Sequence, residues 1–591
     1  MFAIILKAWR AYKILEGWQE WKGSQRRGPH PPRSKAVVTP AGGKFLTGPH
    51  VKRSQLEIWA WKLYNTAMPS DSEPFSRLAS ALIKNFAPRT AVDTGNKITV
   101  NILVSKVASY YEKLRTAMDY GNEETILRRT IERSLKRMLF LEEVPSSVAA
   151  NLVRELIWAG YFPDATVPES IVGKVDSSIT LYLRLRDEVL AKKFLPNVDV
   201  YSYILQLLSC DIHMILAPNQ EKEAMSNFMF HMFRDSVEIL DDSKQTKDVQ
   251  VFIAVRKNFA REDLAFLRYR LFNQIFGKLS EENFSQVVSS FANGYKEIEY
   301  ELQYPRKDRI FNHIKKKTPP FLILYDLLLL ENGHLKELVK DQNKFRERIF
   351  AICEGRYRNI GKKVRTAIIC SFIFILFTKA FVALFVEGAF ERILFGRIQW
   401  LSIGVNTVIP PLLMVFAGML ITTPDNQNSE KIYLDIQKLL FSENPKIIAT
   451  LSLKLKKDGN AFKDFAFYIL WLLSICLVFG LIIWALTLLH FNPLSQVVFL
   501  FFIAIVSFLA YRIYQTAHIY TVVSKPNLFA PLFDFFFVPI IRVGQRLTEG
   551  FTQINFILII IDFAIETPFK GLFGFFEQWF LFLANKREEL E

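Results

Sequence analysis

The sequence predicts an all-α membrane protein in which a large, basic, helical cytoplasmic region precedes a C-terminal multi-pass bundle. Three observations carry this. Apolar stretches at 366–386, 399–423, 465–489 and 494–511 approach the roughly 20 residues that a helix needs to cross an apolar slab about 30 Å thick. In lipid their backbones must satisfy themselves, so they are helices. Ahead of them, residues 55–364 repeat apolar positions at three- and four-residue steps, and strand alternation is scarce. The charge is also lopsided: up to Arg365 there are 57 Lys plus Arg against 42 Asp plus Glu, and beyond it 17 against 16. A basic region beside a membrane points to anionic lipid first and to nucleic acid only second.

Residues 1–21 place Phe2, Ile5, Trp9, Tyr12, Leu15, Trp18 and Trp21 at helical steps, with Lys7, Arg10 and Lys13 between them. That is an amphipathic helix suited to the membrane interface, and its apolar run is too short for a secretory signal. Residues 22–55 hold eight Lys or Arg, no acid and many Gly and Pro, the composition of a basic flexible linker. Trp9, Trp18, Arg26 and Arg27 are therefore expected at the lipid surface. Thr39 to Lys44 lacks the glycine spacing and trailing hydroxyl of a nucleotide loop.

Residues 56–364 form the expected helical cytoplasmic domain. Within it, Glu123–Phe140 carries Arg128, Arg129, Arg133, Lys136 and Arg137 on one side. Such a face tracks phosphates or lies solvated, and the neighbouring Glu123, Glu124 and Glu132 favour the solvated reading. Arg356, Arg358, Lys362, Lys363 and Arg365 then crowd the entrance to the first span, which makes Lys362, Lys363 and Arg365 lipid-surface candidates. The loop 424–464 carries seven Lys, whereas the loop 387–398 has only two Arg. The positive-inside rule then puts both termini in the cytoplasm. The membrane domain is expected over 365–525. Residues 526–591 are expected as a re-entrant or interfacial segment: Pro526–Ile541 is too short to cross, and Thr548–Ala584 is apolar with a narrow polar stripe.

Three features of the apolar part stand out as candidate binding residues. Lys379 lies within the first span, two turns before Glu387, and an ionisable group there marks either a functional site or a long stem that snorkels to the interface. Asn406 precedes the pair Pro410-Pro411 in the second span. Two prolines remove two backbone donors and crowd the carbonyls four residues back, so a broken helix near the midplane is expected. Asp562 and Glu566, one turn apart, form a carboxylate pair. No nucleophile–base pairing and no metal-ligand spacing accompanies them, and Cys210, Cys353, Cys370 and Cys476 are scattered, so no enzyme, cofactor or metal is expected.

The stretches Thr378-Lys379-Ala380 to Glu387, Asn406 to Met414, Glu566-Thr567-Pro568-Phe569-Lys570 and Arg154 to Ala159 resemble a family of uncharacterised multi-pass membrane proteins of candidate-phyla (Patescibacteria-type) bacteria. In that family a proline tends to follow the glutamate that ends the first span; Gly388-Ala389 stand there here. The resemblance implies a bacterial cytoplasmic (inner) membrane location and no activity. The expected function is an integral membrane scaffold or envelope-associated protein whose basic domain meets anionic lipid, partner proteins or a second copy. The alternative is a transporter or channel component using Lys379, the Pro410-Pro411 break and the Asp562/Glu566 pair.

Overall fold

The computed structural model describes residues 75–86, 95–118, 125–140, 145–193, 199–331, 333–396, 400–442, 450–454, 461–489, 491–523 and 530–552, with scattered positions between 572 and 587. The chain is all-α and membrane-embedded. In chain order the body contributes α1 (Arg77–Lys84), α2 (Ile102–Met118), α3 (Ile126–Phe140), α4 (Pro145–Trp158), α5 (Ser170–Ala191), α6 (Val200–Leu216) and α7 (Gln220–Arg234). It continues with β1 (Val237–Ile239), α8 (Lys244–Val255), α9 (Leu264–Phe276), α10 (Phe284–Leu302), α11 (Lys307–Lys317), α12 (Pro319–Glu331) and α13 (Leu335–Leu338). Local chemistry sets many of these ends. Asp199 accepts from the Ser202 amide to open α6, Asp263 does the same for Phe266 at α9, and Gly277 at φ +80° stops α9 where an L side chain is strained.

The arginines of α3 do not face solvent or phosphate. Arg128 pairs with Asp263 at 2.7 Å, Arg133 with Glu112 at 2.8 Å, and Arg137 with Glu155. The expected solvated face is instead an internal ion-pair seam, because three acids from other helices converge on it. Each buried cation has a carboxylate partner, as a low-dielectric interior requires.

His213 sits close to this seam, edge-on to Phe266. Burial, reinforced by the charges of Arg128, Arg270 and Lys222, pulls its pKa down to about 4. A histidine held neutral in the folded state supplies stability above its unfolded pKa of about 6.5. That stability is lost as pH falls from about 6.5 to about 4, up to about 3 kcal/mol. Melting of the full-length protein, followed by circular dichroism across this window, should show the loss. The His213→Gln variant should show a slope reduced by that amount; an unchanged slope excludes His213 as the sensitive group.

From the body, α14 (Gln342–Val382) runs for 41 residues straight into the membrane. After a π turn come α15 (Gly388–Phe395), α16 (Trp400–Met419), α17 (Asn426–Phe441), β2 (Leu451–Leu453), α18 (Ala461–Leu488), α19 (Pro493–Ala517) and α20 (Ala530–Thr552). Three helices, Gln342–Ile393, Phe465–Leu488 and Pro493–Ala517, are long and apolar enough to cross. α16 has 20 residues, and connectivity decides its role. α17 packs Ile432, Ile436, Leu439 and Leu440 into the same body core as Phe345, Ile349 and Leu324. β2 pairs in parallel with β1, Val237 opposite Leu451. The segment read as a basic loop is thus part of the body, and α16 must bring the chain back across to reach it. The end of α19 returns to the same side, where Asn428 of α17 donates to the Tyr520 carbonyl at 2.8 Å and accepts from the Val522 amide at 2.7 Å. Four crossings follow. The bent pair α6–α7 is not a fifth: it carries Glu221, Lys222 and Glu223 and packs in the two body cores.

Two expectations are corrected. The helix over Pro410-Pro411 is not broken; α16 is continuous through both, because proline's fixed φ is already helical and both rings are buried against neighbouring helices. Likewise the segment read as ending at Ile541 does not end there, since its helix, α20, runs through Pro539 and on to Thr552. Gly544 makes this packing possible: a Cβ there would lie 2.0 Å from the Ala504 carbonyl oxygen of α19.

Candidate functional site

The site grows from the end of the first span. In an unbroken α-helix eight residues turn about 800°, leaving Glu387 roughly 80° round from Lys379. Here residues Ala383–Glu387 form a π turn, whose wider winding takes up rotation and brings Glu387 over Lys379. Gly388 follows, where a Cβ would stand 3.3 Å from the Ala383 carbonyl oxygen.

Lys379 Nζ donates to Glu387 Oε1 at 2.8 Å, and both side chains are 0% exposed. Asn406 Nδ2, from α16, donates to Glu387 Oε2 at 2.6 Å and to the Ser495 carbonyl at 3.3 Å. Ser495 Oγ donates to Glu387 Oε2 at 3.2 Å. Ser495 lies in the first turn of α19, which Asn492 caps by accepting from the Ser495 amide at 2.8 Å with Pro493 at the first helical position. The positive end of the α19 dipole therefore faces the Glu387 carboxylate. Lys379 also rests 4.8 Å from the centre of the Phe502 ring, a cation–π contact. One turn on, Glu391 is buried and accepts from Asn492 Nδ2 at 2.6 Å.

Both oxygens of Glu387 are thus occupied, and three spans share one carboxylate. Lys379 climbs toward the rim as a snorkelling lysine would, but inside the bundle rather than along lipid. Counting about 1.5 Å per residue, its backbone lies roughly 12 Å deeper than Glu387. The site is therefore near the rim away from the body, not at a midplane break. Beneath it, Ile375, Met414, Phe502 and Val506 fill the bundle interior with apolar side chains. One polar atom stands out: Asn406 Oδ1 is buried and accepts no hydrogen bond among the described residues.

Of the candidates, the structure brings Lys379, Glu387 and Asn406 together, while Pro410 and Pro411 lie one turn further along α16. Lys362, Lys363 and Arg365 are exposed on α14 between the body and the first span. Asp562, Glu566, Trp9, Trp18, Arg26 and Arg27 lie outside the described residues. Glu391, Asn492 and Ser495 were missed. The signal was present for two of them, since Asn-Pro with a serine three residues after the Asn is a helix N-terminus signature. Among the described residues no three His, Cys, Asp or Glu converge as a metal-ligand set. Comparison with family models, curated proteins and solved structures returns no match.

Proposed function

We propose that this protein is an integral membrane scaffold that holds a helical body against one face of a bacterial cytoplasmic membrane for contact with partner proteins and the anionic leaflet. One observation carries the reading: the connection between the second and third spans is built into the core of the body through α17 and β2. A body tethered only for recruitment needs one flexible linker. This one is joined where Tyr357 of α14, Asn428 of α17 and Tyr520 after α19 meet through hydrogen bonds. Its position relative to the membrane is therefore fixed. The exposed Lys362, Lys363 and Arg365 at the body-side end of the first span support a cytoplasmic body with both termini on that side. The family resemblance supports the bacterial inner membrane.

A second reading, a transport component, is favoured by the buried Asn406 Oδ1 beside an intramembrane ion pair. Ion flux separates the two. Proteoliposomes containing the full-length protein should leak protons, sodium and potassium no faster than empty vesicles. A protein-dependent flux that Lys379→Leu abolishes would replace the scaffold reading with the transport one.

A further inference from the structure

The outward face of α20 changes character along its length. Ile540, Gly544 and Thr548 are buried, with Ile540 packed against Val478 of α18 and Ala504 of α19. On the opposite face at helical spacing lie Phe535, Val538, Arg542 and Arg546. All four are exposed, and neither guanidinium has an ion-pair or hydrogen-bond partner among the described residues.

Depth can be counted from the neighbours. Ser474 Oγ donates to the Phe535 carbonyl at 3.4 Å, and Ser474 lies roughly 13 Å along α18 from Phe465, the first residue of the apolar window, at 1.5 Å per residue. Gly544 packs against Ala504 and Phe508, which lie roughly 10 and 5 Å inside Tyr511, the last residue before Arg512, by the same count. α20 therefore rises obliquely toward the body side. Its apolar outer half lies deeper, and its two arginines lie shallower yet still below the level of Tyr511. Bare guanidinium groups at that depth are costly. Arginine side chains are long enough to reach the level of lipid phosphates, where a charge-assisted, forked contact satisfies them.

We propose that Arg542 and Arg546 form a phospholipid site on the body-side leaflet, with the phosphate held between the two guanidinium groups and the acyl chains lying along Val538 and Phe535. The match is chemical at both ends: one helical turn separates two cations that meet an anion, and the apolar residues lie about 11 Å back along the oblique helix at 1.5 Å per residue, on its deeper half, where the lipid turns from glycerol to hydrocarbon. A free phosphate would satisfy only the arginines, and a second protein chain would have no need of that polarity gradient.

Native mass spectrometry of the full-length protein, extracted in mild detergent, tests this directly. The wild type should carry co-purified phospholipid. Arg542→Gln/Arg546→Gln should lower its occupancy by about tenfold or more, the loss expected of one charge-assisted contact. Lys174→Gln/Lys316→Gln, which removes two exposed cations from α5 and α11 of the body, should leave it unchanged. Excess inorganic phosphate should not displace the lipid, since its chains contribute to the hold; displacement by phosphate alone would reassign the site to a free anion. Equal retention in the Arg542→Gln/Arg546→Gln variant overturns the proposal. So does wild-type protein that carries no phospholipid, a result that depends on no variant folding correctly.

Discussion

Lys379→Leu should destabilise the membrane bundle by about 3–5 kcal/mol, the cost of leaving one partner of a buried ion pair uncompensated. The leftover partner is Glu387, 0% exposed, whose remaining donors are Asn406 Nδ2 and Ser495 Oγ. Those two neutral dipoles, with the end of α19, stabilise a carboxylate without replacing a full positive charge. The rescue is equally specific. Adding Glu387→Gln to Lys379→Leu should recover most of the loss, because a neutral amide has no charge to strand. A lysine facing lipid predicts the opposite sign, since leucine is the better residue there. Thermal unfolding of the detergent-solubilised single and double variants measures both effects. A neutral Lys379→Leu, or additive losses in the double variant, would remove the ion pair from the account of the bundle. Neutralising Glu391 instead should not show this coupling, because the carboxylate that Lys379 pairs with is that of Glu387.

The spans were legible because their signal is local: each is an unbroken apolar run, and a charge inside one is conspicuous. Lys379 and Glu387 could be paired on paper for that reason, although the π turn that aligns them has no sequence mark beyond Gly388. Asn406 was noticed for the wrong reason, as a neighbour of an expected break. Its part in the site comes from facing Glu387, a matter of helix rotation that sequence spacing within one span does not fix. The arginines of α3 were misread because their partners Glu112, Glu155 and Asp263 come from three other places in the chain. Pro526–Ile541 looked like a short segment because local rules count the lost hydrogen bonds and ring clashes of its prolines but not the packing of α20 on two spans. Least legible was the segment after the second span. Its lysines suggested a solvated loop, and nothing local says that Leu451 pairs with Val237.

That last point leads to the other large effect. Ile436 and Ile432 are 0% exposed, one turn apart, and with Leu439 and Leu440 they make a single apolar face packed among Phe345, Ile349, Leu324 and Leu327. Truncating a fully buried isoleucine costs about 2–5 kcal/mol through lost burial and the cavity left behind. If α17 were a loop between spans, Ile436→Ala would disturb the membrane bundle or nothing. As part of the body core it should loosen α12 and the body end of α14, more than seventy residues away in sequence, while the spans stay inserted. Hydrogen exchange reads this by region. Amide protection over Pro319–Glu331 should fall by at least about thirtyfold, the equivalent of 2 kcal/mol, with the apolar segments of α18 and α19 unchanged. Leu434→Ala, on the exposed side of the same helix, should stay within about 0.5 kcal/mol of wild type. The fixed attachment on which the scaffold reading rests fails if α12 keeps its protection in Ile436→Ala, because the interspan segment would then be dispensable to the body it is built into.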